Sequence, residues 1–552
     1  MSKVKTNSKV GKIFIWAILG CFTALMLYAV LSQVIGQPAH GLSYKSYTVG
    51  FWSLLGAIII LIAFFIFAVV RAPRFARPSF KVLLGLLVIG AIVTEIILAH
   101  ALMSHGHAWD VGTIDIIARH YVSSGTTEIP NSWEQFYLAK YPNNVFVTML
   151  IVGAYNLVHL FGNTSFTLSS QLLNSVALLA TVFLVMFVAH KLYGRRAALM
   201  AFGFGYLLII LSAYTPITYT DTIGAFFVSL SVFCAVMMSH ADGHRHLIWG
   251  WGIALGLALM LGYLIKPTIL IILIALTLVF SVKHFSREIF KKQYFCAGGA
   301  VVAGLLIGCL GFRLTWRALP NFAHYNSAQT DKYEITQWQF LAMGSFRGLA
   351  PYTDCKSGSF CFDFVDYMQS GAVAVDTIQE RKIYSQELWQ SNVAQDFPIG
   401  WINLMLRKVA LAYSDGSFGV WSEGTGLNSD IEFYNDNLLD QKIRESMGPT
   451  GQYLRHYKTF LQAVWLALLV IIIAGAIVAW RRPKWRLDLW RNVFALSVLG
   501  LTAFLMLFES RARYLFLFLP IFILLGTGSL RILAHEFKSS RLARRLNLKF
   551  LQ

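Results

Sequence analysis

Long uninterrupted apolar runs recur along the whole chain, separated by short segments of mixed polarity. They fall at about 12–35, 50–70, 82–104, 144–161, 168–190 and 197–216, then from Asp221 to His240, on to Lys266, and on to Lys283. Four more follow at about 294–312, 458–480, 490–508 and 515–534. A helix needs roughly 20 apolar residues to cross a hydrocarbon core, and most of these runs are long enough. A β-barrel would show short alternating segments instead. The pattern predicts an all-α polytopic membrane protein with about 12–13 transmembrane helices. Polar residues collect into two larger stretches, 105–142 and 313–455. Tryptophans, tyrosines and spread charges in the second predict an extracellular insert with helices lying at the interface. The chain divides accordingly into two additional N-terminal helices (1–81), a transmembrane module (82–312) with its outer loop 105–142, the insert (313–455), and C-terminal helices ending in a basic tail (456–552).

Charge adds orientation to this map. Of the 552 residues, 57% are hydrophobic and only 13% charged, far from the usual globular mix. The net charge of +19 sits in short links between apolar runs: Arg71 to Lys81, Lys191 to Arg196, His240 to His246, Lys283 to Lys292 and Arg481 to Arg486. Such clustering is the signature of cytoplasmic loops, so nucleic-acid binding is not expected. The basic run Arg541-Leu542-Ala543-Arg544-Arg545 suits an anionic leaflet. These signs place the chain in the cytoplasmic membrane. One conflict stands. If 144–161 and 168–190 both cross, the basic link after them falls on the wrong side, so one is re-entrant or short, or the charge rule fails there. The first apolar run is too long for a signal-peptide core and is read as an uncleaved helix. Cys21, Cys234 and Cys309 lie in apolar runs as small core residues. Cys355 and Cys361 bracket an outer loop where a disulfide could persist.

The chemistry converges on the outer face. Asp110 follows the third apolar run, Asp221 and Lys266 stand at the outer ends of later runs, and Glu509, Arg511, Arg513 and Tyr514 fill the last outer turn. Charges at membrane depth cost about 2.5–3.5 kcal/mol each on insertion scales, so they usually face a cavity with a function. Arg511 and Arg513 break the positive-inside pattern, and one acid, Glu509, cannot neutralise both. That favours a bound phosphate over a simple ion pair at a helix end. Asp115 is placed to pair with Arg119, Asp221 could be only a helix cap, and Lys266 could merely snorkel. His105 and His107 have no third histidine near them, and no phosphate-cradling glycine loop points to ATP. No cofactor is expected, with a divalent cation such as Mg or Mn left open.

In this order and on this side, the motifs resemble a known family. Asp110, Ala118-Arg119 and Gly125, then Phe161-Gly162, the 191–196 link, Asp221, Lys266-Pro267 and Arg511-Ala512-Arg513-Tyr514 look like the polyprenyl-phosphate-dependent glycosyltransferases of the GT-C superfamily, which include protein O-mannosyltransferases and aminoarabinose transferases. Trp338 to Gly344, Glu380-Arg381 and Tyr413 to Gly419, with Asp415 among them, look like a branch from Gram-positive bacteria. The resemblance implies a GT-C-like bundle that transfers a sugar from a polyprenyl-phosphate donor to a cell-surface acceptor, with inversion. The acceptor class is a glycan, teichoic acid or lipid. It assigns catalysis to Asp110 and Asp221, donor phosphate to Arg511, Arg513 and Lys266, and supporting roles to Asp115, Glu509, Tyr514 and Asp415. The chain departs from the O-mannosyltransferases in carrying Val111 where an Asp-Glu pair is common. Two other readings use the same charges: a transporter or flippase of a phosphorylated lipid, and a membrane assembly scaffold.

Overall fold

Backbone amides in hydrocarbon find no water, so each apolar run satisfies its own N–H and C=O groups as helix. The computed structural model describes residues 9–35, 50–69, 77–104, 107, 109–132, 134–241, 244–284, 292–347, 361, 364–365, 377–421 and 432–540. Among them regular structure is helical, apart from isolated bridges such as that between Ser104 and Phe433. Eleven helices are long and apolar enough to cross a membrane: Gly11–Ile35, Phe51–Ala68, Lys81–Leu102, Phe166–Tyr193, Arg195–Ser212, Thr220–Ser239, Arg245–Ile265, Cys296–Ala318, Leu454–Arg481, Leu489–Leu507 and Leu519–Ser539. A shorter apolar segment, Pro267–Val282, accompanies them.

With Pro267–Val282 crossing beside these eleven, the described residues give twelve spans, at the lower end of the expected 12–13. The apolar run at 144–161 forms the helix Val145–His159, whose 15 residues reach only about 22 Å against a core of about 30 Å. The run at 168–190 lies in a 28-residue helix that does span. Of the two runs in conflict, it is therefore 145–159 that is the short one. Counting 267–282 as a crossing and 145–159 as none puts the helix ends that flank the basic links on one face, opposite Asp110, Asp221, Lys266 and the 509–513 turn. The insert also starts later than expected, because the helix Lys292–Ala318 runs past residue 312.

Burial separates centre from periphery. The helices Leu454–Arg481 and Leu519–Ser539 have 72% and 78% of their apolar windows buried, whereas Phe51–Ala68, Lys81–Leu102 and Cys296–Ala318 have 17% and present their apolar sides outward. The centre is aromatic: Trp465 packs edge-on against Phe418 and Phe522, both at 5.1 Å between ring centroids. The two N-terminal helices lean on this same central helix. Gln462 donates to Gln33 at 2.9 Å, and Ser53 donates to the Thr459 carbonyl at 3.2 Å. Of the cysteines expected in the core, only Cys234 is buried; Cys21 and Cys309 are exposed on outward helix faces. Cys361 is disulfide-bonded, and Cys355 lies outside the described residues.

The insert is mostly short helices, among them Ser327–Tyr333, Gln337–Ser345, Ile378–Ala394, Ile399–Tyr413 and Leu438–Met447. It is bolted to the membrane bundle at Gly344. A Cβ there would stand 2.3 Å from the Leu507 carbonyl oxygen, so only glycine lets the insert reach the turn that carries Glu509 to Arg513.

Candidate active site

Asp110 does not sit in an irregular loop. The stretch from Trp109 to Ser124 is a helix that buries Val111, Ile114, Ile117, Ala118 and Tyr121 against the bundle. Asp110 occupies its first turn, where the helix dipole favours a carboxylate. Gly112 permits the approach of the preceding chain, since a Cβ there would meet the His107 carbonyl oxygen at 1.9 Å. The Asp110 side chain keeps 30% of its surface exposed. Its Oδ1 accepts from the Tyr137 hydroxyl at 2.8 Å, and its Oδ2 accepts from the Tyr219 hydroxyl at 3.1 Å. Asn144 Nδ2 donates to the Tyr137 oxygen at 2.9 Å, which leaves the Tyr137 proton for Asp110. Burial, reinforced by the Asp110 charge, pushes Tyr137 well above the ordinary phenol range, so it stays a donor.

The cations arrive from other elements. Arg513 opens a short helix before Leu519–Ser539, and its Nη2 stands 3.7 Å from Asp110 Oδ2. That is a charge contact, beyond a good N–H···O bond. Its Nε and Nη1 are buried and have no protein acceptor. Buried guanidinium donors without acceptors are rare, and their geometry suits the oxygens of an anion. The guanidinium lies 5.5 Å over the Tyr219 ring and 5.1 Å over Tyr514. Lys266 pairs with Asp221 and stands 4.3 Å over the same Tyr514 ring. Asp221 is fully buried in the first turn of Thr220–Ser239, but the cap itself is made by Tyr219 and Thr222. It pairs with Lys266, and its Oδ2 keeps no hydrogen-bond partner. Glu509 accepts from Arg511 Nε at 2.5 Å. Burial alone would raise the Glu509 carboxyl, but Arg511 and Arg513 hold it below the usual carboxylate range. The two arginines therefore divide: Arg511 is tied to Glu509, while Arg513 faces Asp110.

Asp115 and Arg119 pair at 2.6 Å, as the spacing suggests. Arg119 also donates to Thr167 at 2.6 Å, so this pair clamps the 109–124 helix to the Phe166–Tyr193 helix beside the site. Asp415 serves its own turn. It accepts from the Ser417 amide at 2.8 Å, the Ser417 hydroxyl at 2.6 Å and the Gly419 amide at 2.9 Å. That turn places the Phe418 carbonyl to accept from Tyr214 at 2.6 Å.

Residues 5–532 match the model of a family described as conserved hypothetical integral membrane protein, CHIM_prot. The chain belongs to that family. No curated protein matches it. Among solved structures, it is similar to crystal structures of ArnT from Cupriavidus metallidurans. The form bound to undecaprenyl phosphate is 17% identical with a TM-score of 0.35, over 86% of this chain and 81% of that one. The apo form is 19% identical with a TM-score of 0.35, over 82% and 78%.

In this CHIM_prot member the sequence reading missed the site's neutral half. Tyr137, Asn144 and Tyr219 orient Asp110, yet nothing in their local pattern sets them apart from other aromatic and amide residues near a membrane surface. Lys408 was also missed. It is buried in Ile399–Tyr413 and donates to the Gly344 carbonyl at 2.8 Å and the Phe508 carbonyl at 2.5 Å, while Ser510 donates back to the Lys408 carbonyl at 3.1 Å. One lysine thereby fixes the turn that carries Glu509, Arg511 and Arg513. A lone lysine in an amphipathic stretch gave one available signal: it falls on the apolar side, where a charge needs partners.

Proposed function

We propose that this protein is a membrane glycosyltransferase that moves a sugar from a polyprenyl-phosphate donor to a hydroxyl of a cell-surface glycan, teichoic acid or lipid. The observation that carries the reading is the pairing of a partly exposed Asp110 with a buried Arg513 that has donors to spare, at 3.7 Å. A carboxylate that can take a proton and a guanidinium that can take a phosphate stand at opposite edges of one site. The prenyl chain lies between helices in the bilayer, and the site faces the extracellular side, away from the basic links.

In the reaction, the bond between the anomeric carbon and the phosphate oxygen breaks while the acceptor oxygen bonds to that carbon from the opposite side. The configuration inverts. Asp110 accepts the acceptor's proton, and the leaving polyprenyl phosphate gathers negative charge. Arg513 meets that charge with its Nε–H and Nη1–H, and Lys266 adds a second cation held in place by Asp221. Fixed donors aimed at developing charge are the largest usual source of catalysis. Tyr137 and Tyr219 keep both Asp110 oxygens in place, while the exposed part of the carboxylate meets the acceptor. Arg511, neutralised by Glu509, shapes the turn.

The test supplies labelled polyprenyl-phosphate sugars and cell-envelope acceptors to membranes containing the protein. Label on the acceptor together with released polyprenyl phosphate supports transfer. Movement of intact labelled lipid across the bilayer with no sugar released would replace the enzyme by a transporter.

A further inference from the structure

Unpartnered polar atoms gather in one wedge of the bundle that the proposed chemistry does not use. Glu95 lies within the span Lys81–Leu102, about 10 Å below its outer end, and is only 1% exposed. Neither of its carboxyl oxygens has a hydrogen-bond partner among the described residues. The hydroxyls of Ser175, in Phe166–Tyr193, and of Thr215 face it, and neither completes a hydrogen bond. Thr215 stands where the backbone leaves the helix: the 3-10 turn Ile210–Ser212 has ended, Ala213 is left-handed, and Thr220–Ser239 has not begun. Irregular backbone at membrane depth persists where the surrounding protein satisfies it. Asn174 does so with its Nδ2, which donates to the Tyr214 carbonyl at 2.8 Å and the Thr215 carbonyl at 2.9 Å. The Asn174 Oδ1 is left without a donor.

The surplus of acceptors continues outward. One turn nearer the outer end, Gln171 donates to the Ala99 carbonyl at 2.7 Å, and its Oε1 is unpartnered. Gln171 lines a cavity of about 20 Å³, room for a single water or ion, together with Ser104, His107, Asp115 and Arg119. Asp115 and Arg119 pair at 2.6 Å and add no net charge. Burial holds His107 below the usual imidazole range, so its ring is neutral, and its Nδ1 has no partner. The cavity therefore gives a polar, net-neutral approach from the outer side, one helical turn from Glu95.

What fills the wedge follows from the donors and acceptors present. The two Glu95 oxygens and Asn174 Oδ1 only accept, and the two hydroxyls bring one hydrogen each. A buried carboxylate is too costly to stay charged and alone. A proton on Glu95 would be used in a bond to a facing hydroxyl, and no such bond is made. Oxygens held about 2.3–2.6 Å from one hard cation stand about 3.3–3.7 Å or more from each other, so they face without bonding. Among the described residues no group of three His, Cys, Asp or Glu could hold a metal ion, so the ligand set is oxygen with a single charge. One carboxylate balances one positive charge, where a divalent ion would leave charge buried. We infer that Glu95, Ser175, Thr215 and Asn174 bind a sodium ion, which pins the span Lys81–Leu102 to Phe166–Tyr193 and to the break before Thr220–Ser239. This site is separate from the sugar-transfer reading and does not depend on it.

The experiment uses the full chain purified in a neutral detergent. Its thermal unfolding is followed during titration with NaCl, with choline chloride holding the ionic strength constant. A ligand that binds only the folded state raises Tm in a saturable way, and sodium is expected to do so. Glu95→Gln keeps the shape and removes the charge. Its Tm in choline alone should equal or exceed that of the parent, because an unpaired buried carboxyl is gone, and its response to sodium should vanish. Ser175→Ala removes one oxygen and should raise the half-saturating sodium concentration about tenfold. Identical Tm in sodium and choline overturns the site, as does a sodium response that survives Glu95→Gln. Stabilisation by CaCl2 without stabilisation by NaCl overturns sodium in favour of a divalent ion. Should Glu95→Gln fail to fold, Ser175→Ala decides alone, since an unchanged midpoint for sodium overturns the site.

Discussion

Replacing Asp110 with asparagine separates chemistry from scaffold. Asparagine has nearly the same shape, so the first turn of the 109–124 helix keeps its packing. The Tyr137 hydroxyl at 2.8 Å can still donate to the amide oxygen, and the amide nitrogen can meet the Tyr219 oxygen in place of the 3.1 Å bond. What is lost is the charge on these bonds, worth about 1 kcal/mol, and the attraction to Arg513 at 3.7 Å. The second quantity is about 1 kcal/mol in water and about 4 kcal/mol at an effective dielectric of 20. The 30% exposure of Asp110 puts it in the lower half of that range. The folded state should therefore lose about 2–3 kcal/mol and survive. Loss of a general base removes about 10²–10⁴-fold in rate. Initial rates of sugar transfer, measured on folded protein matched by quantity, should fall at least 100-fold in Asp110→Asn. A variant that folds and transfers within twofold of the parent would remove Asp110 from the mechanism.

Three other substitutions check the remaining parts. Arg513→Lys keeps the charge but loses the fork of donors, so donor-dependent kcat/KM should drop about 100-fold, read from initial rates against donor concentration; a change under threefold denies Arg513 the phosphate. Asp415→Asn should lower thermal stability by about 1–2 kcal/mol through its weakened turn while leaving the rate per folded molecule unchanged; a lost rate at intact stability would restore Asp415 to the site. Lys408→Met strands the carbonyls of Gly344 and Phe508 and should cost about 2–4 kcal/mol in unfolding experiments. It should also change the pH dependence. Burial pushes the Lys408 ammonium down to about 7, with Glu509 opposing, so above that pH the unfolded chain holds a proton that the native protein has released. Stability from this group then rises with pH from about 7 towards the ordinary lysine range, at up to about 1.4 kcal/mol per unit, and the methionine variant should lack that rise.

How far the chain could be read in advance follows from which forces act locally. Apolar length decides whether a helix crosses, so most spans were legible to within a few residues. The exception is instructive. The run at 144–161 contains enough apolar residues to look like a span, but Pro142, Asn143 and Asn144 form a turn of 3-10 helix before it, and the helix ends at His159. Hydropathy averages over such ends, whereas length after capping is what must match the bilayer. The charge pattern had already registered a conflict, since one of the two runs, 144–161 or 168–190, has to stop short to put Lys191 to Arg196 with the other basic links.

The site was legible in its charges and opaque in its pairings. A carboxylate or guanidinium at a membrane surface is costly enough to be conspicuous in sequence, so Asp110, Asp221, Lys266, Glu509, Arg511 and Arg513 stood out. Which of them neutralise each other depends on packing between elements about 400 residues apart, from Asp110 to Arg513. A count of one acid and two bases in the last turn gave the correct surplus but not its owner. The structure assigns Glu509 to Arg511 and leaves the surplus on Arg513, the residue whose remaining donors are buried without acceptors. That division gives the sharpest expectation for the site. Neutralising Arg511 perturbs a turn, whereas on the proposed mechanism neutralising Arg513 removes the group that meets the leaving phosphate, and the two should differ far more in rate than in stability.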